Sequence, residues 1–333
     1  MLSMIVDDVR EPAWNLALDE ALARVPGPRG GRRPAPRRRG RPGRPGSVPP
    51  QRPGVPSHGA APYGVPPYGV SPYGVPSGRT AAERSVPVLR VWQNAPSVVI
   101  GRFQNVEEVV DLAACARDGV RVVRRASGGG AVYTDSGTLL FSLVRRPRPG
   151  ERRISPDAPD LDVLVRTALG RLGYPPDVLA SGGLGGKAGA GLSGKAGGGL
   201  GGNAGGIVQV AWLHARDAVL THLAVHVTPI NAYGPVYLMP PDGGTARGRN
   251  PPPSEVSGRH TLADLGAPIT LDTVRAAVLS EIMDVYGIAR TRRPDPEEQA
   301  LRDHLYSVRY GDVTWNLSGP AGPRRAAREF TGG

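Results

Sequence analysis

The sequence predicts an α/β (α+β) domain, a mixed central sheet flanked by helices. Three observations carry that prediction. Helix-period and strand-like runs follow one another without the regular βαβ alternation of a doubly wound sheet. Two low-complexity tracts, residues 26–84 and 181–206, interrupt the chain and carry neither period. Setting them aside leaves 248 of 333 residues, the size of one α/β domain, so residues 1–25 and 85–320 are read as a single unit.

The elements can be taken in order. Pro12 to Arg24 is a helix with proline in its first turn and Trp14, Leu18, Ala21 and Leu22 near one face. Val88–Trp92 and Ser97–Gly101 are β-rich runs on either side of the Asn94-Ala95-Pro96 turn. Asn105, followed by Glu107 and Glu108, caps a helix that runs to about Arg117 and stops at Gly119. Val120–Arg125 is a strand, Gly128-Gly129-Gly130 a turn, and Gly130–Tyr133 and Thr138–Val144 two further strands. A helix over about 160–172 precedes strands near 206–214 and 219–227. Two late helices start at Thr270/Asp272 and at Asp295-Pro296-Glu297-Glu298.

Composition excludes several classes. A single cysteine, Cys115, rules out an internal disulfide and a paired-cysteine metal site. The start, Met1 to Asp8, carries acids where a secretory signal needs a basic and then an apolar stretch. No apolar run reaches the ~18 residues a membrane helix needs, so the chain reads as cytoplasmic with no membrane partner. The net charge is +12, but residues 26–84 hold eleven arginines and one acid, so the remainder is close to neutral. Any polyanion attraction belongs to that segment, as nonspecific phosphate contact, and no specific nucleic-acid partner is expected.

Both insertions are read as disordered or flexible. The first is rich in Pro, Arg and Gly and repeats Pro-Tyr-Gly-Val from Pro62 to Pro76. The second, over 183–206, holds three eight-residue units, each with Gly-Leu and then Lys187, Lys195 or Asn203 before Ala-Gly. A unit of eight is too short for a solenoid repeat. Lys187 and Lys195 are the only lysines of the chain, against 39 arginines.

Four segments, in order, resemble the lipoate–protein ligase family of the biotin/lipoate ligase fold group. They are Trp14-Asn15-Leu16-Ala17-Leu18-Asp19-Glu20; Val98-Val99-Ile100-Gly101-Arg102-Phe103-Gln104-Asn105; Arg124-Arg125-Ala126-Ser127-Gly128-Gly129-Gly130-Ala131-Val132; and Arg259 onward to Tyr306–Asn316. The resemblance implies a biotin/lipoate ligase-like fold that joins lipoate to AMP and passes the lipoyl group to a lysine of a carrier protein. It implies ATP and Mg2+ as cofactors. The implied partners are lipoyl carrier domains of 2-oxoacid dehydrogenase or glycine-cleavage type.

Residue types in these segments suit that chemistry. Gly128, Gly129 and Gly130 let backbone N–H groups approach an anion without side-chain obstruction, and Ala131 continues the small turn. Arg124 or Arg125 offers a planar fork to phosphate or carboxylate, and Ser127 a hydroxyl. By resemblance, Arg102, Asp19 and Glu20 lie near the lipoyl end. Asp135 stands where the family has His-Asp-x-Gly-Asn, and His222 faintly echoes its His-His-Gly segment.

The sequence departs from the family at its lysine motif. The register before Ile207 holds Asn203, which carries no charge. Lys195 and Lys187, upstream in the repeat, are therefore the candidate catalytic lysines. The Asn-Asp element expected before the lysine is replaced by Ala180-Ser181-Gly182-Gly183. The alternatives are an ATP-independent octanoyl or lipoyl transferase and an inactive binding protein. Some relatives in the fold group use a cysteine thioester, but Cys115 among alanines reads as a packing residue.

Overall fold

The computed structural model describes residues 1–26, 79–148, 151, 153–154, 159–174, 179, 206–228, 237–239, 261–266 and 268–320. Lys187, Lys195, Asn203, nearly all of the 181–206 repeat and residues 27–78 of the first insertion lie outside the described residues. The elements are β1 (Leu2–Arg10), α1 (Pro12–Arg24), α2 (Ala81–Ser85), β2 (Val88–Asn94), β3 (Ser97–Ile100), α3 (Val106–Val109) and α4 (Leu112–Arg117). They continue with β4 (Arg121–Arg124), β5 (Val132–Thr134), β6 (Thr138–Arg145), α5 (Leu161–Arg171), β7 (Val208–His214) and β8 (Val219–His226). The last are α6 (Leu271–Tyr286), β9 (Ala289–Thr291), α7 (Pro296–Leu305), a π turn over Tyr306–Tyr310 and α8 (Val313–Ser318).

Six strands form a mixed sheet in the order β7-β8-β6-β2-β1-β9, and three form a second in the order β4-β3-β5. In the large sheet β1 runs parallel to β2 and β9, while the other neighbours are antiparallel. The mixed sheet flanked by helices is the architecture the sequence predicted.

Strands β2, β6 and β8 are buried on both faces, and so read as nearly continuous apolar runs. Leu89, Val91, Leu139, Phe141, Leu143, Leu223 and Val225 face one core, closed by Leu161, Leu164 and Val165 of α5 and Val274, Val278 and Ile282 of α6. The alternate residues, Val88, Trp92, Leu140, Val144, Leu220 and Ala224, face α1. Period 2 along the strands thus assigns each side chain to a helix pair or to α1.

Three expectations are corrected. Helix α1 has the predicted bounds but is buried almost all round, because α7 and the sheet enclose it; Trp14 is only partly buried. The helix expected from Asn105 to Arg117 breaks at Val110, and Asp111 caps a second one by accepting from Ala114 N. The runs on either side of Asn94–Pro96 are strands as expected, and they enter different sheets. Residues 79–84, assigned to the first insertion, are ordered: Thr80 and Glu83 form a capping box, and Arg79 and Arg84 pair with Glu298 and Glu297 of α7.

Candidate active site

The register of the large sheet places Arg90, Ser142 and His222 side by side, one on each of β2, β6 and β8. All three lie on the face toward α1, and Asp19 of that helix sits over the row. Its Oδ1 accepts from Arg90 Nη1 at 2.9 Å and its Oδ2 from Ser142 Oγ at 2.6 Å, with His222 Nδ1 3.5 Å from the same Oδ2. Arg90 is wholly buried and also reaches Asp7 Oδ2 at 2.6 Å and the Asn15 carbonyl at 2.9 Å. Trp92 Nε1 donates to Ser142 Oγ at 2.9 Å, so each polar atom in the row has a partner. On the far side of the imidazole, His222 Nε2 lies 2.6 Å from Ser127 Oγ.

Burial pushes the Asp19 carboxyl up, but the hydrogen bond from His222 and the charge of Arg90 more than offset it, leaving it below the ordinary carboxylate range. Glu20 is likewise pushed up by burial and brought down, on balance, by Arg309 and Arg24. Both carboxylates bind protons more readily in the unfolded chain, so the stability they contribute is present above the ordinary carboxylate pKa and is lost as pH falls through the native values. Unfolding by urea at a series of pH values will show a plateau down to about pH 5 and a steady fall below it. Glu20→Gln will flatten part of that slope; an unchanged slope would contradict the assignment.

The glycine turn is built by close approach. A Cβ on Gly101 would lie 2.0 Å from the Gly129 carbonyl oxygen, and Gly129 itself has φ +96°, a region that favours glycine. Arg125 holds the loop from inside, donating to the carbonyls of Gly128 (2.7 Å), Gly130 (2.8 Å) and Val99 (3.1 Å). Burial lowers its guanidinium to about 10. The N–H groups of Gly128, Gly129 and Gly130 donate to no acceptor among the described residues. They remain available for an anion.

A cavity of about 230 Å³ opens beside this turn, between the face of the large sheet and β3 and β5 of the small one. Leu16, Trp92, Val99, Val132, Leu140 and Ala224 give it an apolar wall, while Arg125, Gly130, Thr134, Gln209 and His222 supply polar atoms.

The structure brings together some of the residues singled out in the sequence and separates others. Ser127, His222 and Asp19 form one connected chain beside Gly128–Gly130 and Arg125. Arg102 adjoins them: its backbone N–H donates to the Ser127 carbonyl, its guanidinium lies over Trp315 (5.9 Å to the ring centre), and its buried Nε has no acceptor among the described residues.

Arg124 is a correction. Its guanidinium is spent on the backbone carbonyls of Gly101, Arg102, Gln104, Trp315 and Leu317, so it ties β4 to α8 and offers no fork to a ligand. Glu20 is another, since it pairs with Arg24 and Arg309 and accepts from Tyr310 Oη at 2.6 Å, away from the cavity wall. Ala131 packs into the core of α3 and α4. Asp135 accepts from Gly137 N at 2.8 Å and shapes the β5–β6 turn. Cys115 belongs to that same α3–α4 core, and burial pushes its thiol up to about 12.

Sequence reasoning missed Arg90, Ser142, Trp92 and Leu16. Arg90 had a visible signal, a lone charge inside the apolar run Val88–Trp92. The others had none, since their neighbours across the sheet depend on register.

A family model described as the lipoyl protein ligase A/B catalytic domain matches residues 78–282. Lipoate-protein ligase A subunit 1 of Thermoplasma acidophilum is 51% identical over 59 residues, 18% of this chain and 22% of that protein. The mitochondrial lipoyl amidotransferase of Homo sapiens is 49% identical over 66 residues, 20% of this chain and 18% of that protein. The chain thus matches about a fifth of the length of these curated relatives (22% and 18%). Among solved structures, a bi-partite lipoate protein ligase from Thermoplasma acidophilum superposes with a TM-score of 0.58 at 20% identity, covering 96% of this chain and 98% of that one. A lipoate-protein ligase A bound with ATP superposes with a TM-score of 0.56 at 20% identity, covering 95% and 98%. At that identity the likeness concerns the fold. The family model, however, spans more than half of the chain and includes the Gly101 and Gly128–Gly130 segments that build the cleft, and the chain belongs to the lipoyl protein ligase A/B catalytic-domain family.

Proposed function

We propose that this protein attaches lipoate, or a related medium-chain acid, to a lysine of a carrier protein through an acyl-adenylate. The observation that carries the reading is the cavity: apolar along Leu16, Trp92, Val132 and Leu140, and bordered by Gly130 of a turn whose N–H groups suit a carboxylate, while Arg125 holds that turn in shape. The acyl chain would lie along the apolar wall and its carboxylate at Gly128–Gly130. Arg102, a partly buried cation with an unpartnered Nε, suits the phosphate of a nucleotide at the mouth.

Relatives support each partner in turn. One solved neighbour is a ligase bound with ATP, and another was determined as a lipoylation system with its E2 lipoyl domain. Lipoyl carrier domains of the 2-oxoacid dehydrogenase or glycine-cleavage type are the acceptors we assign. Among the described residues no group of three or more His, Cys, Asp or Glu could hold a metal. No described helix is long and apolar enough to cross a membrane. We place the reaction in the cytoplasm.

The charge that the adenylation step needs falls to Lys195 or Lys187. Purified protein mixed with lipoate, ATP, magnesium and an apo-lipoyl domain will add one lipoyl mass to the acceptor. The Lys187→Ala/Lys195→Ala double variant will do so about 10²–10³-fold more slowly, the cost of losing one preorganised stabiliser of developing charge. An unaffected double variant would remove the lysines from the mechanism. Relatives named amidotransferase favour a second reading, acyl transfer that needs no nucleotide.

A further inference from the structure

We propose that Ala224 and Ala211 set the width of the acyl cavity, and so make the site select a ring-ended acid, lipoate, over a straight chain of the same length. The inference rests on the acyl-cavity reading above and names the residues that choose its substrate. Three observations support it.

The first is where the small residues fall. Ala211 is the only alanine of β7, and Ala224 the only alanine of β8. Alanine is depleted in strands, where β-branched and aromatic residues fit the pleated surface better. Both of these are buried, and both line the cavity.

The second is register. Trp92, Leu140, Ala224 and Gln209 stand opposite one another across β2, β6, β8 and β7, and all four line the cavity. The row is bulky on β2 and β6 and drops to a methyl group on β8. Ala211 stands opposite His222 in the next row, so the two alanines are diagonal neighbours on one face. Together they leave a recess on the β7–β8 side, facing the small sheet that supplies Val99 and Val132.

The third is depth. Ser127 Oγ lies 2.6 Å from His222 Nε2, which sets the glycine turn level with the His222 row. Ala224 follows His222 by two residues on β8, so it lies about 7 Å farther along the strand. A carboxylate at Gly128–Gly130 therefore brings the far half of an eight-carbon chain beside Ala224. Octanoate and lipoate share that chain length. They differ in thickness, because lipoate carries two sulfur atoms, closed into a five-membered ring, at the end away from its carboxylate. Length cannot tell the two acids apart, and width at this depth can. A ring that fills the recess makes dispersion contacts that a straight chain leaves unmade.

The test is calorimetric titration of the whole protein with lipoate and with octanoate, in nucleotide-free buffer. The parent will bind lipoate the more tightly. Ala224→Val, a strand-compatible change that adds two methyl groups, will weaken lipoate about 10–200-fold more than octanoate, the range for one methylene too many in an apolar pocket. Ala211→Val, on the edge strand, will move the ratio in the same direction and stands in for the first variant should that one not fold, with circular dichroism as the check. Parental ratios in folded variants overturn the assignment. Equal losses of the two acids overturn it as well, because they describe a wall and not a selector. A parent that binds octanoate as tightly as lipoate overturns the selectivity and leaves the acyl cavity intact. A parent that binds neither acid overturns both readings.

Discussion

Replacing Arg90 by leucine will lower stability by about 3–5 kcal/mol, because removing one member of a buried ion pair strands its partner. The guanidinium is wholly buried and serves Asp7, Asp19 and Asn15 at once. Without it, Asp19 keeps only Ser142 and His222, and a carboxylate inside the fold loses the cation that holds it ionised. Urea unfolding will show the midpoint moving down with an unchanged slope, since the surface exposed on unfolding stays the same. The Arg90→Leu/Asp19→Leu double variant will cost less than the sum of its single changes, as expected of directly paired groups. Additive losses would show that the two residues act separately.

Gly101→Ala will cost about 1–3 kcal/mol through overpacking and weaken octanoate binding about 10²-fold through a displaced turn. The new methyl carbon would meet the Gly129 oxygen at 2.0 Å, so one backbone segment must move. Neither can move alone. Arg102 N–H is bonded to the Ser127 carbonyl, Arg125 N–H to the Ile100 carbonyl, and the Arg125 guanidinium to both Gly128 and Gly130. The turn therefore shifts as a unit and carries Ser127 from His222. Calorimetric titration with octanoate reads the effect. Parental affinity in a folded variant would mean that the turn takes no part in binding.

Much of the fold was legible because its signals are local. Proline at the first turn of α1 and the Asp295/Glu298 capping box of α7 fixed two helices, and the apolar runs of β2, β6 and β8 marked the central strands. Strand β1 was not seen, because its second half, Val6 to Arg10, turns polar where it leaves the core. The break at Val110 was missed for a similar reason: Asp111 reads as one more helix-surface acid until its carboxylate is seen capping Ala114.

At the site, the residue types were readable and their partners were not. Ser127 and Gly128–Gly130 carried a motif; Gly130 lines the cavity, and Ser127 reaches its His222 wall by a hydrogen bond. Arg124 and Arg125 looked like anion forks, but their acceptors are backbone carbonyls, which every residue has and no sequence pattern reveals. Asp19 and His222 lie some two hundred positions apart, and the packing of α1 over β8 joins them. The lysine question stays with Lys187 and Lys195, outside the described residues.

The Arg124 clamp has a consequence for how the protein is made. Two of its acceptors, Trp315 and Leu317, follow it by 191 and 193 positions, and the Glu20 partners Arg309 and Tyr310 follow by 289 and 290. A ribosome therefore delivers the glycine turn and α1 long before it delivers the residues that fasten them. While the chain is still being translated, the cleft lacks its closing partners. The cleft takes its final shape when α8 emerges, nearly two hundred residues after the turn it fastens.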